Sequence, residues 1–391
     1  MINILFIHQS AELYGSDKTL LLLLKHIDKT KFCPVVVLPN DGPLKIELEK
    51  ENIKVVIAPV LKLYRKMFTP KNILKFINDI KKGIKTLDVL NKQHHFDIVY
   101  SNTLAVLLGV IYAKKRKIKH LWHVHEIIES PKLFSKLFVL LLDLKCNTKI
   151  VYNSISTKFF WEKNKGIIKK SSVVLNGIET PLNFLSTEEI NEFRKKIFNS
   201  NSNSNEIVIA LIGRISRWKG QLILLKAFYH LTLIKKNIKL VFVGSPPPNQ
   251  ECFLEELKNK IKEYKLNDKV VIIPFQNEIN KVWQSIDIAV VPSIEPEPFG
   301  LVAVEAMMAN KPVIASNHGG LSEIILNNKT GFLVNPNDEN QLSEAISNLI
   351  KNPSLRTEFG KNGYERAIKE FSIEKHVKEF EAVFQNFQDN F

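Results

Sequence analysis

Short apolar runs rich in Val, Ile and Leu alternate with helix-length amphipathic segments along nearly the whole 391-residue sequence. Near-continuous apolar runs are typical of strands that are buried on both faces of a sheet. Such strands need helices on both sides, and the segments between the runs supply them. The pattern therefore predicts an α/β protein built from doubly wound parallel sheets.

The apolar runs fall into two series, which predicts two Rossmann-like domains. The predicted strands are 2–7, 34–38, 54–57, 97–100, 119–124, 149–152 and 173–175 in the first series, and 207–212, 239–243, 270–273, 286–291, 312–315 and 332–334 in the second. A polar NSNSNSN tract at 199–205 separates the series and has little apolar surface to bury. We therefore expect a first domain at 1–185, a linker at 186–205 that includes a short helix near 187–198, and a second domain at 206–371.

The C-terminal segment has the periodicity of an amphipathic helix. Its apolar residues recur at helical spacing, at Ile373, Val377, Phe380, Val383, Phe384 and Phe387. Because the segment follows the last predicted strand of the second series, we expect residues 372–391 to complete the first domain.

The sequence predicts a cytoplasmic protein without a membrane span. Its longest apolar stretch, 104–113, has ten residues, whereas a transmembrane helix needs about twenty. The N-terminus enters a strand-like run without the basic region or cleavage site of a signal peptide. Three widely separated cysteines exclude a disulfide framework.

The net charge of +15 lies entirely in the first half of the chain. Residues 1–185 carry 30 Lys and Arg against 15 Asp and Glu, whereas the rest carries 25 of each. An excess confined to one half indicates a polyanionic partner, either a nucleic acid or an anionic membrane face. A lysine-rich codon bias would enrich both halves, so we favour a functional cause.

The segment SIEPEPFGLVAVEAMMANKPVIASNHGGLSEIILNNKTGFLVN at 293–337 places two glutamates around a helix start. Open α/β sheets bind ligands at the carboxyl ends of their strands, where this loop must lie. The backbone N–H groups of Gly300 and Leu301 open the helix and can bind an anion. Glu297 and Glu305 can each accept hydrogen bonds from two vicinal hydroxyls, so the pair could hold two sugars of one ligand. Alternatively, Glu297 is only a helix-dipole partner and Glu305 a solvated residue.

This segment resembles the signature of glycosyltransferase family 4, whose members are retaining enzymes of the GT-B fold. The matching residues are Glu297-Pro298-Phe299-Gly300, then Glu305-Ala306-Met307, a Pro-Val-Ile-Ala strand at 312–315, and Gly319-Gly320 with Glu323. The resemblance implies two domains that face each other across a cleft, with Glu297 on the transferred sugar and Glu305 on the ribose hydroxyls. Asn310 replaces a usual glycine, and asparagine is the next-best residue for a left-handed helix stop.

A second block, GRISRWKG at 213–220, is similar to the family's Gly-Arg-…-Lys-Gly loop. A departing diphosphate develops negative charge, and Arg214 and Lys219 are suited to stabilise it without a metal. In isolation such a loop is more often a solvated surface, but it precedes the glutamate motif by one strand–helix series. The donor site implied by the resemblance also includes residues after further strands and at the helix start, namely Gly244, Phe275, Gln276, Ile279, Phe299, Gly300 and Leu301.

The first domain matches the family more loosely. Gly15 and Ser16 open a helix where the family has a glycine-rich loop that meets the donor phosphate and the acceptor. His123-Val124-His125-Glu126 ends the fifth strand, and His125 fits the family's histidine near the transferred sugar. A metal site at His123 and His125 would need a third ligand, which we do not find in the sequence.

Together these features predict a metal-independent retaining hexosyltransferase that needs no cofactor. G-x-G-x-x-G, P-loop and Asp-x-Asp motifs are absent from the sequence, so it predicts no nicotinamide, NTPase or Asp-bound metal site. The expected catalytic residues are Glu297, Lys219, Arg214 and His125. The donor would be a UDP- or GDP-sugar, and the acceptor a glycan or lipid-linked sugar, as in bacterial surface polysaccharide or lipopolysaccharide assembly.

Two other classes of protein remain open. A non-catalytic nucleotide-sugar-binding protein would be expected to have lost one of the four charged motif residues, which are all present as Arg214, Lys219, Glu297 and Glu305. A nucleic-acid-binding protein would interleave its basic residues with stacking aromatics. The aromatics of the basic segment 62–85 also suit the apolar face of a helix, so we expect no nucleic-acid partner.

The basic clusters of the first domain favour an anionic membrane surface instead. Residues 62–85 carry eight basic residues and one acid, and 114–119 carry five more. The segment KLFSKLFVLLLDLK at 132–145 adds apolar surface, and each cation near an anionic leaflet contributes about 1 kcal/mol. We expect a peripheral protein at the inner face of the cytoplasmic membrane. Alternatively, 137–142 is a core helix and the lysines are a solvated face.

Overall fold

The computed structural model describes residues 1–61, 70–181, 183–200, 206–276 and 278–387. The chain forms two compact units, the first made of Met1–Glu179 with Ser372–Phe391 and the second of Thr180–Phe371. Each unit contains one fully parallel sheet flanked by helices. The predicted α/β architecture of two doubly wound, Rossmann-like domains is confirmed.

The first unit contains seven described strands in the order β3-β2-β1-β4-β5-β6-β7. The strands are β1 Ile2–His8, β2 Phe32–Leu38, β3 Lys54–Ile57, β4 Ile98–Asn102, β5 Lys119–Val124, β6 Asn147–Tyr152 and β7 Ser171–Val173. The helices between them are α1 Gly15–His26, α2 Pro43–Lys50, α3 Pro70–His94, α4 Leu108–Arg116, α5 Lys132–Asp143, α6 Ile155–Trp161 and α7 Lys165–Ile168. Alternate residues of β1 enter two separate core clusters, Leu5 and Ile7 in one and Ile4 and Phe6 in the other, because successive side chains of a strand point to opposite faces.

The second unit contains six described strands in the order β10-β9-β8-β11-β12-β13. The strands are β8 Ile207–Ile212, β9 Ile238–Val243, β10 Val270–Ile273, β11 Ile288–Val291, β12 Val313–Ser316 and β13 Gly331–Val334. The helices are α8 Thr187–Phe198, α9 Gln221–Thr232, α10 Cys252–Glu263, α11 Ile279–Gln284, α12 Leu301–Met308, α13 Leu321–Ile324, α14 Glu339–Lys351 and α15 Pro353–Phe371. In both units, each predicted strand is present with its ends shifted by at most two residues.

The last helix, α16 Ile373–Gln385, packs on the first unit. The Phe384 ring lies 6.1 Å from the ring of Phe6 and 6.0 Å from that of Tyr100. A β-bridge pairs Ile178 with Ser372, so the two chain segments at the edge of this unit run side by side. The C-terminal segment is therefore part of the first unit's core.

The linker that we assigned to 186–205 differs from the structure. Helix α8 belongs to the second unit, where Arg194 forms an ion pair with Asp287 at 3.0 Å and donates a hydrogen bond to the Ser285 carbonyl at 2.8 Å. The units divide after Glu179, before this helix. The polar tract suggested a later boundary because an amphipathic helix does not show in its sequence which sheet it covers. Residues 201–205 of that tract lie outside the described residues.

The strand order reverses between β1 and β4 in the first sheet and between β8 and β11 in the second. At such a point the connections leave in opposite directions and open a crevice at the carboxyl ends of the strands, where open α/β sheets bind ligands. A ligand-binding site is therefore expected in the loops that follow these four strands.

Candidate active site

Two loops meet at the switch point of the second unit. Loop 213–220 follows β8, and loop 292–300 follows the neighbouring strand β11. The Ile294 N–H donates to the Trp218 carbonyl at 2.8 Å. Gly220 has φ +79°, and a Cβ there would lie 2.0 Å from the Pro292 carbonyl oxygen. The loops approach this closely because position 220 has no side chain.

Lys219 and Glu297, one from each loop, form an ion pair. The Lys219 Nζ lies 2.5 Å from Glu297 Oε1, and the Ser293 hydroxyl donates to the same oxygen at 2.6 Å. The side chains of Lys219 and Glu297 are only 13% and 6% exposed, so the charges stabilise each other with little screening. Both bonds end on Oε1, which leaves Oε2 as the carboxylate oxygen able to accept a hydrogen bond from a ligand hydroxyl.

The Gly-Gly turn supports the backbone of Glu297. The Gly320 N–H donates to the Glu297 carbonyl at 2.7 Å. Gly319 has φ +58°, and a Cβ there would lie 2.3 Å from that same carbonyl oxygen. Glycine is therefore required at this turn for Glu297 to keep its position.

Helix α12 begins with Gly300 as its N-cap, at φ +113°. The Ala303 N–H of its first turn donates to the Gly300 carbonyl at 2.9 Å. The N–H groups before it, which precede the first helical hydrogen bonds, make the helix start suited to an anion. The Phe299 side chain is buried and packs against Phe371, with 5.9 Å between the ring centroids. Of the predicted residues at this helix start, Phe299 therefore has a core side chain.

Glu305 lies just over one turn into α12. Its Oε2 accepts a hydrogen bond from the indole N–H of Trp283 on α11 at 3.2 Å. Trp283 is buried, so its indole N–H holds the Glu305 carboxylate in a fixed orientation. Ile279, the first residue of α11, lies on this same neighbouring helix.

The remaining predicted donor-site residues follow β8, β9 and β10 at the same edge of the sheet. The Arg214 carbonyl accepts from the Gln221 amide at 2.8 Å, which anchors the loop. Gly244 has φ +142°, and a Cβ there would lie 2.0 Å from the Gly213 carbonyl oxygen. Phe275 is 47% exposed, and the Gln276 amide donates to the Pro274 carbonyl. Phe275 therefore presents an aromatic ring with an exposed part at this edge of the sheet.

In the first unit, His125 joins residues that the sequence analysis did not assign to the site. The Asn102 Oδ1 lies 2.8 Å from His125 Nε2, and the Asn102 Nδ2 lies 3.0 Å from His8 Nδ1. The other ring nitrogen of His8 lies 2.5 Å from Asp17 Oδ1. Burial lowers the pKa of His125 to about 3, so its ring is neutral near pH 7.

A usable signal for these residues was present in the sequence. His8 ends β1 and Asn102 ends β4, the two strands that flank the switch point. Ser16 lies at the start of α1, and its carbonyl accepts a hydrogen bond from the Asn102 amide at 3.3 Å. A buried polar residue at the carboxyl end of a switch-point strand is therefore a site marker in this fold.

Glu126, directly after His125, is held by the backbone. Its carboxylate accepts from the N–H groups of Leu104, at 3.1 Å, and His125, at 3.0 Å. Burial nevertheless raises the pKa of Glu126 to about 7.

Across the described ranges, no group of three His, Cys, Asp or Glu residues is placed to hold a metal ion. Likewise, no described helix is both long and apolar enough to cross a membrane.

Comparisons with known proteins match the part of the chain that contains both loops. Residues 192–366, which include both loops and α12, match the family described as Glycosyl transferases group 1. Together with two Rossmann-like domains, this match supports a GT-B glycosyltransferase.

Three similar proteins cover most of the chain. The capsular polysaccharide biosynthesis glycosyltransferase CapM of Staphylococcus aureus is 29% identical over 81% of this chain and 83% of its own length. A lipopolysaccharide 1,2-N-acetylglucosaminetransferase of Salmonella typhimurium is 25% identical, over 91% of this chain and 90% of its own. The crystal structure of Anabaena HepE with UDP-glucose superimposes with a TM-score of 0.84, at 24% identity, over 99% of this chain and 100% of its own.

Proposed function

We propose that this protein is a metal-independent retaining glycosyltransferase that moves a hexosyl group from a nucleotide-diphosphate sugar to a glycan or lipid-linked acceptor. The observation that carries the proposal is the buried Lys219–Glu297 pair at the switch point of the group 1 domain. It combines a fixed cation for a phosphate with a carboxylate oxygen for a sugar hydroxyl.

The donor is assigned to the second unit. The glycine-capped start of α12 can receive the diphosphate, with Gly300 and Leu301 supplying backbone N–H groups. Glu305, oriented by Trp283, is suited to accept hydrogen bonds from vicinal ribose hydroxyls. The exposed ring of Phe275 is assigned to the base. A similar fold has been solved with UDP-glucose, which supports a nucleotide sugar of this kind.

The chemistry follows from where charge develops. When the bond between the sugar C1 and the diphosphate oxygen breaks, negative charge grows on the diphosphate, and Lys219 and Arg214 stabilise it. Glu297 Oε2 holds a sugar hydroxyl and orients the ring. The acceptor oxygen then bonds to C1 on the face that the diphosphate leaves, and the acceptor proton passes to the departing phosphate oxygen. This route retains the anomeric configuration and needs no nucleophile from the protein.

The acceptor is assigned to the first unit, at an anionic membrane surface. Helix α5 packs through Phe138 and Leu142, whereas Leu133 and Leu140 on its outer side are 76% and 68% exposed. Lys132 and Lys136 are exposed on the same helix. The basic cluster at 62–85 lies in part outside the described residues. Apolar side chains beside lysines suit a lipid–water interface, and relatives in capsule and lipopolysaccharide synthesis support a lipid-linked acceptor.

The test begins with a thermal-shift screen of UDP- and GDP-sugars. A ligand at a hundred times its Kd should stabilise the protein by about 2.7 kcal/mol. Transfer from the donor so identified is then measured with bacterial glycan and lipid-linked acceptors, with and without excess EDTA. The anomeric configuration of the product is read by NMR. Activity that disappears with EDTA and returns with Mn²⁺ would refute metal independence, and an inverted product would refute retention.

A further inference from the structure

A buried polar network in the first unit lies at the carboxyl ends of β1, β4 and β5. His8 ends β1, Asn102 ends β4 and His125 directly follows β5. Asp17 lies in the first turn of α1. His8, Asp17 and Asn102 are at most 3% exposed. Buried polar groups of this kind must pair correctly, so the direction of each hydrogen bond can be worked out.

Asp17 fixes the direction at one end of the network. Its carboxylate oxygen Oδ1 lies 2.5 Å from both His8 Nε2 and the Ser10 hydroxyl, and Oδ2 accepts from the Tyr14 N–H at 3.1 Å. Burial opposes ionisation of Asp17, but these bonds outweigh it and lower the pKa. Because a carboxylate only accepts, His8 Nε2 donates, and Nδ1 of a neutral His8 is an acceptor.

Asn102 passes this direction to His125. The Asn102 Nδ2 lies 3.0 Å from His8 Nδ1 and 3.3 Å from the Ser16 carbonyl oxygen, and both of these atoms are acceptors. The amide oxygen Oδ1 therefore faces His125, 2.8 Å from Nε2. Since this oxygen only accepts, His125 carries its hydrogen on Nε2 and has Nδ1 as its acceptor.

His123, the second neighbour of His125, does not by itself determine which ring donates the hydrogen bond between them. His123 Nδ1 lies 3.1 Å from His125 Nε2 and 2.5 Å from the Tyr100 hydroxyl. A hydroxyl and an imidazole can each donate or accept, so the contacts through His123 are compatible with either tautomer. The series that ends at the Asp17 carboxylate is therefore the one that decides.

We propose that Asp17 is a positioning residue that acts through His8 and Asn102 to hold His125 as its Nε2–H tautomer, with Nδ1 kept as an acceptor for a hydroxyl of the transferred sugar. This inference rests on the proposed transferase function and on the contact between His125 and the transferred sugar that the family resemblance implies. An acceptor nitrogen pairs with a hydroxyl and gives no hydrogen bond to a carboxylate. The arrangement therefore selects a neutral hexose over a uronic acid at that position.

The test reads the tautomer directly in the full-length protein labelled with ¹⁵N-histidine. Two-bond ¹H–¹⁵N spectra at neutral pH distinguish the protonated from the unprotonated ring nitrogen, and the His125 signals are those lost in His125→Gln. We expect Nε2–H in the wild type and a mixture of both tautomers in Asn102→Leu. In Asn102→Asp a carboxylate still accepts from Nε2–H, so the wild-type tautomer should persist.

Ser101→Ala serves as the matched control. Ser101 precedes Asn102 on β4, and its hydroxyl pairs with His120 Nε2 at 2.9 Å. The variant should therefore alter the His120 signals and leave those of His125 unchanged. In turnover assays we expect Asn102→Leu to lower kcat/KM for a hexose donor about tenfold.

Two spectra would overturn the proposal: a wild-type His125 protonated at Nδ1, or a folded Asn102→Leu protein whose His125 remains purely Nε2–H. The wild-type spectrum tests the proposal even if a variant fails to fold. The expected spectra with unchanged kcat/KM in Asn102→Leu would refute the contact with the sugar. Because the tautomer is read without substrate, a protein with the expected spectra but no transferase activity would refute the proposed function and leave the role of Asp17 intact.

Discussion

At the proposed donor site, Lys219 and Glu297 form an ion pair in which each charge holds the other in place. One carboxylate oxygen of Glu297 accepts hydrogen bonds from Lys219 and Ser293, and we propose that the other binds the ligand. A diphosphate that approaches Lys219 competes with Glu297 for the same ammonium group. Donor binding is therefore expected to redistribute the contacts of Glu297 toward the sugar.

Replacement of the two glutamates should separate transfer from nucleotide binding. We expect Glu297→Ala to lower transfer by about a hundredfold or more, while UDP or GDP affinity stays unchanged or rises because Lys219 is released. Glu305→Ala should weaken nucleotide binding about tenfold or more, since a charge-assisted hydrogen bond to the ribose is lost. Calorimetric titration measures both affinities. Glu344→Ala, on the exposed side of α14, is the control, and equal nucleotide affinities in the two glutamate variants would contradict the division of roles.

At the scale of the elements, the close approach of two loops depends on the absence of a side chain. We expect Gly220→Ala to separate loop 213–220 from loop 292–300, because the new Cβ would lie 2.0 Å from the Pro292 carbonyl oxygen at a positive φ. The Lys219–Glu297 pair spans these loops, so transfer should fall about tenfold or more. Initial-rate kinetics with saturating donor provide the measurement.

The control for this prediction is Gly363→Ala within α15. The atoms nearest to its Cβ would all belong to Met307, at 3.4 Å or more, and its φ is not positive. Alanine in a helix is favoured over glycine by about 0.5–1 kcal/mol, so this variant should be as stable as the wild type or more so, with normal kinetics. If Gly220→Ala matched it in activity, the contact between the loops would not matter for transfer.

We assigned the outer side of α5, with its exposed Leu133 and Leu140, to the membrane surface. We expect the protein to float with anionic liposomes at low salt and to be released at high salt, because attraction between lysines and lipid is screened. A Leu133→Glu, Leu140→Glu double variant should remain in the soluble fraction. Leu233→Glu is a matched control, since Leu233 is 68% exposed, as is Leu140, but lies in the second unit. A wild-type protein that fails to float with anionic vesicles at low salt would refute the membrane assignment.

At the scale of the whole molecule, the two units differ in their buried histidines. All fully buried histidines among the described residues belong to the first unit, and they are His8, His120, His123 and His376. Burial lowers the pKa of His120 and of His376 to about 4 in each case. Protonation of His120 and of His376 therefore opposes the folded state of the first unit.

Mild acid should for this reason open the first unit before the second. Below pH about 6.5 the unfolded chain protonates His120 and His376, whereas the native state does so only near pH 4. Glu126 opposes this trend, because its raised pKa lets the native state bind a proton from about pH 7, but His120, His376 and His125 outnumber it. The unfolded state thus binds more protons between pH about 6.5 and 4. The free energy of unfolding falls as the pH drops through this window, by up to about 1.4 kcal/mol per pH unit for each histidine that Glu126 does not offset.

Hydrogen exchange measured by mass spectrometry, corrected for its intrinsic pH dependence, tests the order of opening. Peptides of 1–179 and 372–387 should lose protection at a higher pH than those of 206–371. His120→Gln should reduce the slope by one histidine's share, because the glutamine does not titrate. Earlier opening of the second unit would contradict the prediction.

Local structure and the motifs of the proposed donor site could be predicted from the sequence alone. The periods of strands and helices are properties of neighbouring residues, so each predicted strand was found within two residues of its bounds. The motif formed by Glu297 and Glu305 could also be recognised in the sequence, because both residues lie in one loop–helix segment. Strong local signals of this kind need no knowledge of distant contacts.

Only the tertiary structure decided which distant residues meet and which way their hydrogen bonds run. Lys219 and Glu297 are 78 positions apart, and Asn102 and His8 are 94 apart. Helix α8, expected in a linker, proved to belong to the second unit. Contacts between remote segments follow from strand order and helix packing, and the tautomer assigned to His125 follows from a series of bonds that begins at Asp17. Neither is encoded in a local pattern, because each depends on the coordinates of residues that the fold brings together.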